Sequence, residues 1–262
     1  MNVEINFSRV QTVMRRYYYA NRREISMYFD YFYWPVLDML LFGYLGTWLS
    51  SQQTGNLAFS LITSLVLWAL TYRTSLDIAK NMAQELWDEN LVNFFATPLT
   101  VAEWMLGLMG AGLMSLLITL PYCALIAKIF FNQNIFSMGP ELFIFVFLLV
   151  MCGWILGFFA AGILIYYGQK IETIVWAVPW LITPFSSIYY PVDVLPPFMQ
   201  TISKLLPTTY AFEGLRQVIN TGHLSYQHIG MSLLLNVIYL TLALLFFIKM
   251  FKKSKNNGLN PI

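Results

Sequence analysis

The sequence predicts an all-α membrane protein. It has six transmembrane helices, an amphipathic helix lying at the interface before them, a short polar-faced helix between the second and third spans, and a short helical hairpin before the last. Three observations carry this. The 262 residues are 58% hydrophobic and 17% aromatic. Only 11% are charged, against about 25% in soluble domains. The apolar residues fall in long runs set off by short polar segments, the pattern of helices that cross a bilayer. The formal charge of +2 gives no reason to expect a nucleic-acid partner.

The first 28 residues read as an interfacial segment. Val3, Phe7, Val10, Met14 and Tyr17 recur at alternating spacings of four and three, with Arg9, Arg16 and Arg23 on the far side and Arg15 and Arg22 on a flank. Such a basic amphipathic helix lies in the headgroup plane and favours an anionic leaflet. No short apolar core with a small-residue cleavage site follows these arginines, so a removable leader is not expected.

A single membrane domain is expected over residues 29–250. Its first span, about Tyr31 to Leu49, begins in a belt of aromatic rings that includes Trp34. Asp38 lies inside it. A carboxylate there costs on the order of 3 kcal/mol on insertion scales, so it should have a partner or face water. The second span runs from about Leu57 to Tyr72, and Arg73 at its end is the expected partner of Asp38, with Asp77 competing one turn away. The third span, Trp104 to about Ile129, carries Gly107, Ala111 and Ser115 at intervals of four, and loosens at Pro121. The fourth, Leu142 to Ile165, repeats the device with Gly153, Gly157 and Ala161. Small residues at this spacing let helix backbones approach in lipid. The fifth, about Ile171 to Ser187, is interrupted by Pro179 and Pro184. Glu103, Glu141 and Glu172 each open a span, where a carboxylate meets the positive end of the helix dipole and can reach water.

Asp77 to Thr100 is a polar island between apolar runs and reads as one helix. Ile78, Met82, Leu86 and Trp87 mark its apolar side, and Thr97-Pro98 closes it. Slung between two spans, it must lie on lipid or dock on a partner. Residues 189–228 are punctuated by Pro191, Pro196, Pro197 and Pro207. Phe198–Leu206 and Thr208–Ile219 suit two short helices, with Pro197 starting the first and Thr208 or Thr209 capping the second. The last span is Ile229 to Ile248, and a basic tail fills 251–262.

Six spans place both termini on one side. Twelve Lys and Arg residues fall on that side and three (Lys128, Lys204 and Arg216) on the other. The excess of positive charge on cytoplasmic loops makes the terminal side cytoplasmic. No phosphate-binding glycine loop occurs: Leu113 and Ile163 stand where lysine is required. Neither HExxH, CxxC nor GxSxG is present. His223 and His228 have no cysteine near them, and Cys123 and Cys152 lie in apolar runs, so catalytic residues, a metal site and a disulfide are not expected.

Two stretches carry a resemblance that spans nearly the whole chain. PFSSIYYPVDVLPPFMQTISKLLPTTYAFEGLRQVI, residues 184 to 219, and ELWDENLVNFFATPLT, residues 85 to 100, resemble the membrane subunit of ABC-2 type (type V) exporters. The first is similar to the family's proline-framed outer hairpin, here with Pro191, Pro196, Pro207, Glu213 and Arg216. The second is similar to its cytoplasmic coupling helix ending in Thr-Pro-Leu, although Asp88-Glu89-Asn90 departs from the usual mixed-charge pattern. The resemblance implies a permease in the bacterial inner (plasma) membrane, pairing as a homodimer with two separate ABC ATPase subunits. Those subunits hold ATP-Mg; this chain needs no cofactor of its own. It implies that Glu85, Leu86, Trp87, Asp88, Glu89 and Phe94 face the ATPase. Trp34, Asp38, Trp68, Trp176 and Trp180 are implied to line a path for an amphipathic drug, lipid or glycan, although packing or a lipid-facing position serves each tryptophan equally well. Two other classes remain: a proton-coupled transporter, and an intramembrane enzyme acting on lipid-linked substrates.

Overall fold

The computed structural model describes residues 5–52 and 56–256. Val3 of the predicted stripe and the last six residues of the basic tail lie outside them. The described residues form helices joined by short turns. The interfacial helix is α1 (Phe7–Arg23), capped by the Asn6 side chain, which accepts from the Ser8 amide at 3.0 Å. A single turn, α2 (Ile25–Tyr28), leads into a π-helical turn over Phe29–Tyr33 and then α3 (Trp34–Gln52). Next come α4 (Leu57–Trp87), α5 (Leu91–Ala96), α6 (Val101–Phe131) and α7 (Glu141–Tyr167). A broken α8 (Thr173–Ile182) precedes α9 (Pro197–Ser203), α10 (Pro207–Thr221) and α11 (Tyr226–Asn256).

Among the described residues, α4, α6, α7 and α11 are long and apolar enough to cross a membrane. At 31 residues, α4 is about 46 Å long, well beyond a hydrocarbon core of about 30 Å. α3 has 19 residues, but its apolar run is diluted by Asp38, Gly43, Gly46 and Thr47. α8 has only 10 and gives way to a 3₁₀ turn at Thr183–Phe185. Pro121 stays inside α6, and Pro179 inside α8.

The centre is α7, packed against α4 on one side and α11 on the other. Glycines set both contacts. A β-carbon on Gly153 would overlap Thr74 Oγ1 and stand 2.7 Å from the Thr71 carbonyl, and one on Gly157 would stand 2.9 Å from both Ile78 Cβ and the Ser75 carbonyl. One on Gly162 would stand 2.9 Å from the Phe246 ring of α11. The predicted small-residue stripe on α7 therefore seats α4. On α6 the close approach is made by Gly107 of the predicted stripe and by Gly110 beside it, and its partner is α1. Gly107 and Gly110 receive Val13 and Met14 of α1: a β-carbon on Gly107 would stand 2.7 Å from Val13 Cβ, and one on Gly110 would stand 2.6 Å from Met14 Sδ. α1 is thus held in a groove of α6, burying Val10, Val13 and Tyr17, while Phe7 is left exposed. The predicted stripe is kept at Val10, Met14 and Tyr17, with Val13 added to the buried side.

Three further expectations need correction. Residues 77–100 do not form one separate helix. No Gly or Pro interrupts 57–87, so α4 propagates straight through Asp77 to Trp87. It stops at Asp88-Glu89-Asn90, where Glu89 takes φ 52°, and the short α5 follows. Thr208 and Thr209 do not cap α10: Leu206 occupies the cap position without a side-chain bond, Pro207 is the first helical residue, and the Thr209 hydroxyl donates to the Phe185 carbonyl at 3.2 Å. Glu103 does not reach for water. It is fully buried in a capping box with Thr100 and also accepts from the Asn6 amide at 2.8 Å, which ties α1 to the start of α6.

Candidate functional site: the polar column of α4 and its neighbours

α4 carries three ion pairs in succession towards its C-terminal end, and each joins it to an earlier part of the chain or braces it internally. Arg73 Nη2 lies 2.5 Å from Asp77 Oδ1, one turn on, with both side chains almost wholly buried. The expected Asp38–Arg73 pair is therefore replaced by the local one. A partner one turn away on the same helix requires no second span to be positioned. The guanidinium also stacks over the Tyr31 ring at 3.5 Å, and the Tyr31 hydroxyl meets Ser115 Oγ at 2.7 Å. The Arg73–Asp77 contact is ionic rather than a directed hydrogen bond. Both Asp77 oxygens, Arg73 Nε and Nη1, and the Asn81 amide have no hydrogen-bond partner among the described residues.

Two turns further on, Lys80 pairs with Asp30 of the π-helical turn and lies 4.0 Å above the Trp176 ring of α8. Then Glu85 takes a two-bond clasp from Arg16 of α1, Nε and Nη2 each donating at 3.0 Å, while Asn90 Nδ2 donates to its second oxygen at 2.7 Å. Arg16 also sits 4.8 Å above the Phe94 ring. Beside it, the Trp104 indole donates to the Tyr17 hydroxyl at 2.7 Å. Burial, reinforced by the Glu85 carboxylate, raises the Tyr17 phenol well above its ordinary pKa and keeps it a neutral acceptor.

These contacts sort the sequence-derived residues. Glu85 and Phe94 are buried inside the platform and Leu86 is half-buried, whereas Trp87, Asp88 and Glu89 are exposed at its tip. Arg9 donates to the Pro98 carbonyl at 2.6 Å and approaches Glu103 at 3.5 Å, so Arg9 and Arg16 brace the protein while Arg23 remains exposed. An open groove of about 370 Å³ lies between α1 and α5, lined by Arg9, Thr12, Arg16, Asn93 and Thr97. Trp34 and Trp180 are exposed, Asp38 and Trp176 half-buried, and Trp68 is packed in the core.

At the opposite end, Glu213 and Arg216 of α10 latch the hairpin. Arg216 donates to the carbonyls of Ser187 and Ile188 and, at 2.9 Å, to Glu213. Glu213 in turn accepts from the Ser187 hydroxyl at 2.5 Å and the Val192 amide at 3.0 Å. Ser187 has φ 59°, a conformation that a non-glycine residue holds only when its surroundings enforce it. Pro191 and Pro196 set the extended turns on either side of Val192–Val194. Among the described residues no group of three or more His, Cys, Asp or Glu is placed to hold a metal ion.

This architecture can be set beside known proteins. The family model for the ABC-2 type transporter matches residues 10–220. The chain belongs to that family. The match runs from α1 through the end of α10, so it covers both the ion-paired platform and the latched hairpin of this ABC-2 protein. No curated protein matches the chain. Membership makes it a transport component rather than an enzyme in its own right, and the four long apolar helices agree with a place in a membrane. The signal that sequence reading missed is the pairing of α4 with the start of the chain: nothing in the sequence tied Lys80 to Asp30 or Glu85 to Arg16.

Proposed function

We propose that this chain is the permease subunit of an ATP-driven exporter. Two copies pair, α3 and α8 join the four long helices to give six spans each, and a separate ATPase docks at the terminal end. The observation that carries this is the platform built by α1, the end of α4, and α5. Arg16 and Asn90 fix Glu85, so the tip of α4 is a rigid extension of a membrane helix, with Trp87, Asp88 and Glu89 exposed on it. A force applied there reaches the bilayer through one continuous helix. ATP binding can shift such a protein between conformations only if the docked ATPase grips one of them better, and this tip is a place to grip. The excess of Lys and Arg at this end supports a cytoplasmic position for the tip, and an exporter of this kind belongs in a plasma membrane. The cargo passes along the face of α3, α4 and α8 and is an amphipathic molecule; the latched hairpin covers the far end.

The test is to extract the protein in mild detergent together with its native partners and weigh the complex. A complex of two copies with two ATPase subunits is expected. A monomer, or a dimer that carries no ATPase even with nucleotide trapped, overturns the reading.

A further inference from the structure

α1 carries five arginines, and the structure uses them differently. Arg9 and Arg16 are spent on Glu103 and Glu85. Arg22 has no ion-pair partner among the described residues and instead lines a cavity of about 190 Å³ between the end of α1, the turns that follow it and α6. The walls of this cavity differ in chemistry. Tyr18 and Arg22 of α1 and Tyr28 of α2 stand on one, all three exposed. The Tyr28 hydroxyl donates to the Arg22 carbonyl at 3.1 Å, which closes the turn after α1 and keeps the two residues at the same cavity. Phe32 of the π-helical turn, with Met114 and Ile118 of α6, makes an apolar wall. The Tyr31 and Ser115 hydroxyls, which also line it, are 2.7 Å apart and satisfy one another. Among the described residues the lining holds one cation and no carboxylate.

The apolar wall does not end at the cavity. Leu113 and Leu117, next to Met114 and Ile118 in the chain, are exposed and carry the apolar surface on along α6, a helix long enough to cross a bilayer. A basic, tyrosine-bearing rim is thus joined to the lipid-facing side of a span. Tyrosines of this kind sit at headgroup level, an arginine there meets phosphate with charge-assisted hydrogen bonds, and basic groups draw anionic lipids to them. The size agrees with one chain. A cavity of about 150 Å³ takes a benzene ring, so about 190 Å³ takes a stretch of one acyl chain and leaves a second chain in the bilayer. Water finds few partners against the apolar wall.

We infer that this cavity is a binding site for one anionic phospholipid of the leaflet on the terminal side, with its phosphate on Arg22 and one chain against Phe32, Met114 and Ile118. The lipid also packs on Tyr31, whose ring carries the Arg73 guanidinium at 3.5 Å, so it braces the residue that holds the buried cation of α4.

Phosphatidylglycerol and phosphatidylcholine with identical chains test this by native mass spectrometry of the delipidated, full-length protein. The first phosphatidylglycerol should bind about fivefold more tightly than the first phosphatidylcholine, the ratio that one basic group near an anionic headgroup gives. Arg22→Ala should remove the preference. Arg15→Ala should keep it, because Arg15 is exposed on the same helix and does not line the cavity. Equal affinity of the two lipids, or an equal loss from both substitutions, overturns the site, since charge spread over α1 would then account for the binding. Should Arg22→Ala fail to fold, the wild-type protein still decides. Phosphatidylglycerol with a photoreactive diazirine on one chain should crosslink to Phe32, Met114 or Ile118, and Met114→Trp, which fills the cavity, should suppress the crosslinks at Phe32 and Ile118. Crosslinks confined to other residues, or unaltered by Met114→Trp, overturn the proposal. The site needs a bilayer but no ATPase, so these results and the mass of the assembled complex decide separate questions.

Discussion

Arg16 and Glu85 are 69 positions apart in the chain, yet they form an ion pair directed by two hydrogen bonds. Arg16 is half-exposed, which screens its charge, but Glu85 is almost wholly buried. Removing the arginine leaves a buried carboxylate with Asn90 as its remaining side-chain donor. Hydrogen bonds to charged groups contribute about 1.5–3 kcal/mol each at most, so Arg16→Ala should lower stability by roughly 1–3 kcal/mol. Glu85→Gln should cost a similar amount. Because both remove the same clasp, the double substitution should cost little more than either alone. Thermal unfolding of the detergent-purified variants measures this, and simple additivity would mean that the two residues act independently. Asp77 and Arg73 differ in kind. They are more deeply buried and less well satisfied by hydrogen bonds, so their pairing keeps charge tolerable in the span rather than adding much net stability.

Helix against helix, the decisive positions are glycines. Gly153→Ala places a methyl group where Thr74 Oγ1 and the Thr71 carbonyl already stand, and the carbonyl cannot turn away as a side chain can. Overpacking of this kind costs about 1–3 kcal/mol, and here it also forces α4 from α7. Gly112→Ala is the control. Its nearest neighbour would be 3.8 Å away, and alanine favours a helix over glycine by up to about 1 kcal/mol. Gly153→Ala should therefore lower the monodisperse yield and the unfolding temperature, while Gly112→Ala should leave both unchanged or slightly raised. The hairpin offers a second contrast. Arg216 reaches two carbonyls and a carboxylate at once, which a lysine ammonium cannot do from one point. Arg216→Lys should free Ser187 from its left-handed conformation and make residues 187–196 open to protease, with the rest of the chain still protected. Unchanged cleavage would show that the prolines alone hold the hairpin.

Across the whole molecule, apolar runs were enough to find every long helix, because burying or embedding twenty apolar residues leaves few alternatives. The proline-framed hairpin was legible for the same local reason: proline fixes its own φ and restricts its neighbour. What sequence could not give was where one helix becomes another in function. The polar residues from Asp77 onwards looked like a new element, but a helix propagates through polar residues as readily as through apolar ones, and only Asp88-Glu89-Asn90 stops it. Nor could it separate Glu85 from Asp88, since three positions on a polar stretch look alike until Arg16 arrives from α1. That separation gives the sharpest prediction about the assembled machine. Glu85→Lys should break the clasp and lower the yield of folded protein, because it sets a second cation against Arg16. Asp88→Lys with Glu89→Lys should not: both side chains are exposed and neither has an ion-pair partner among the described residues. If the tip of α4 is the lever, the Asp88/Glu89 variant should insert and fold normally, lose its ATPase on purification, and lose transport. Normal folding with the ATPase retained and transport fully coupled would move the docking surface to the groove between α1 and α5, where Arg9, Asn93 and Thr97 would be the residues to change next.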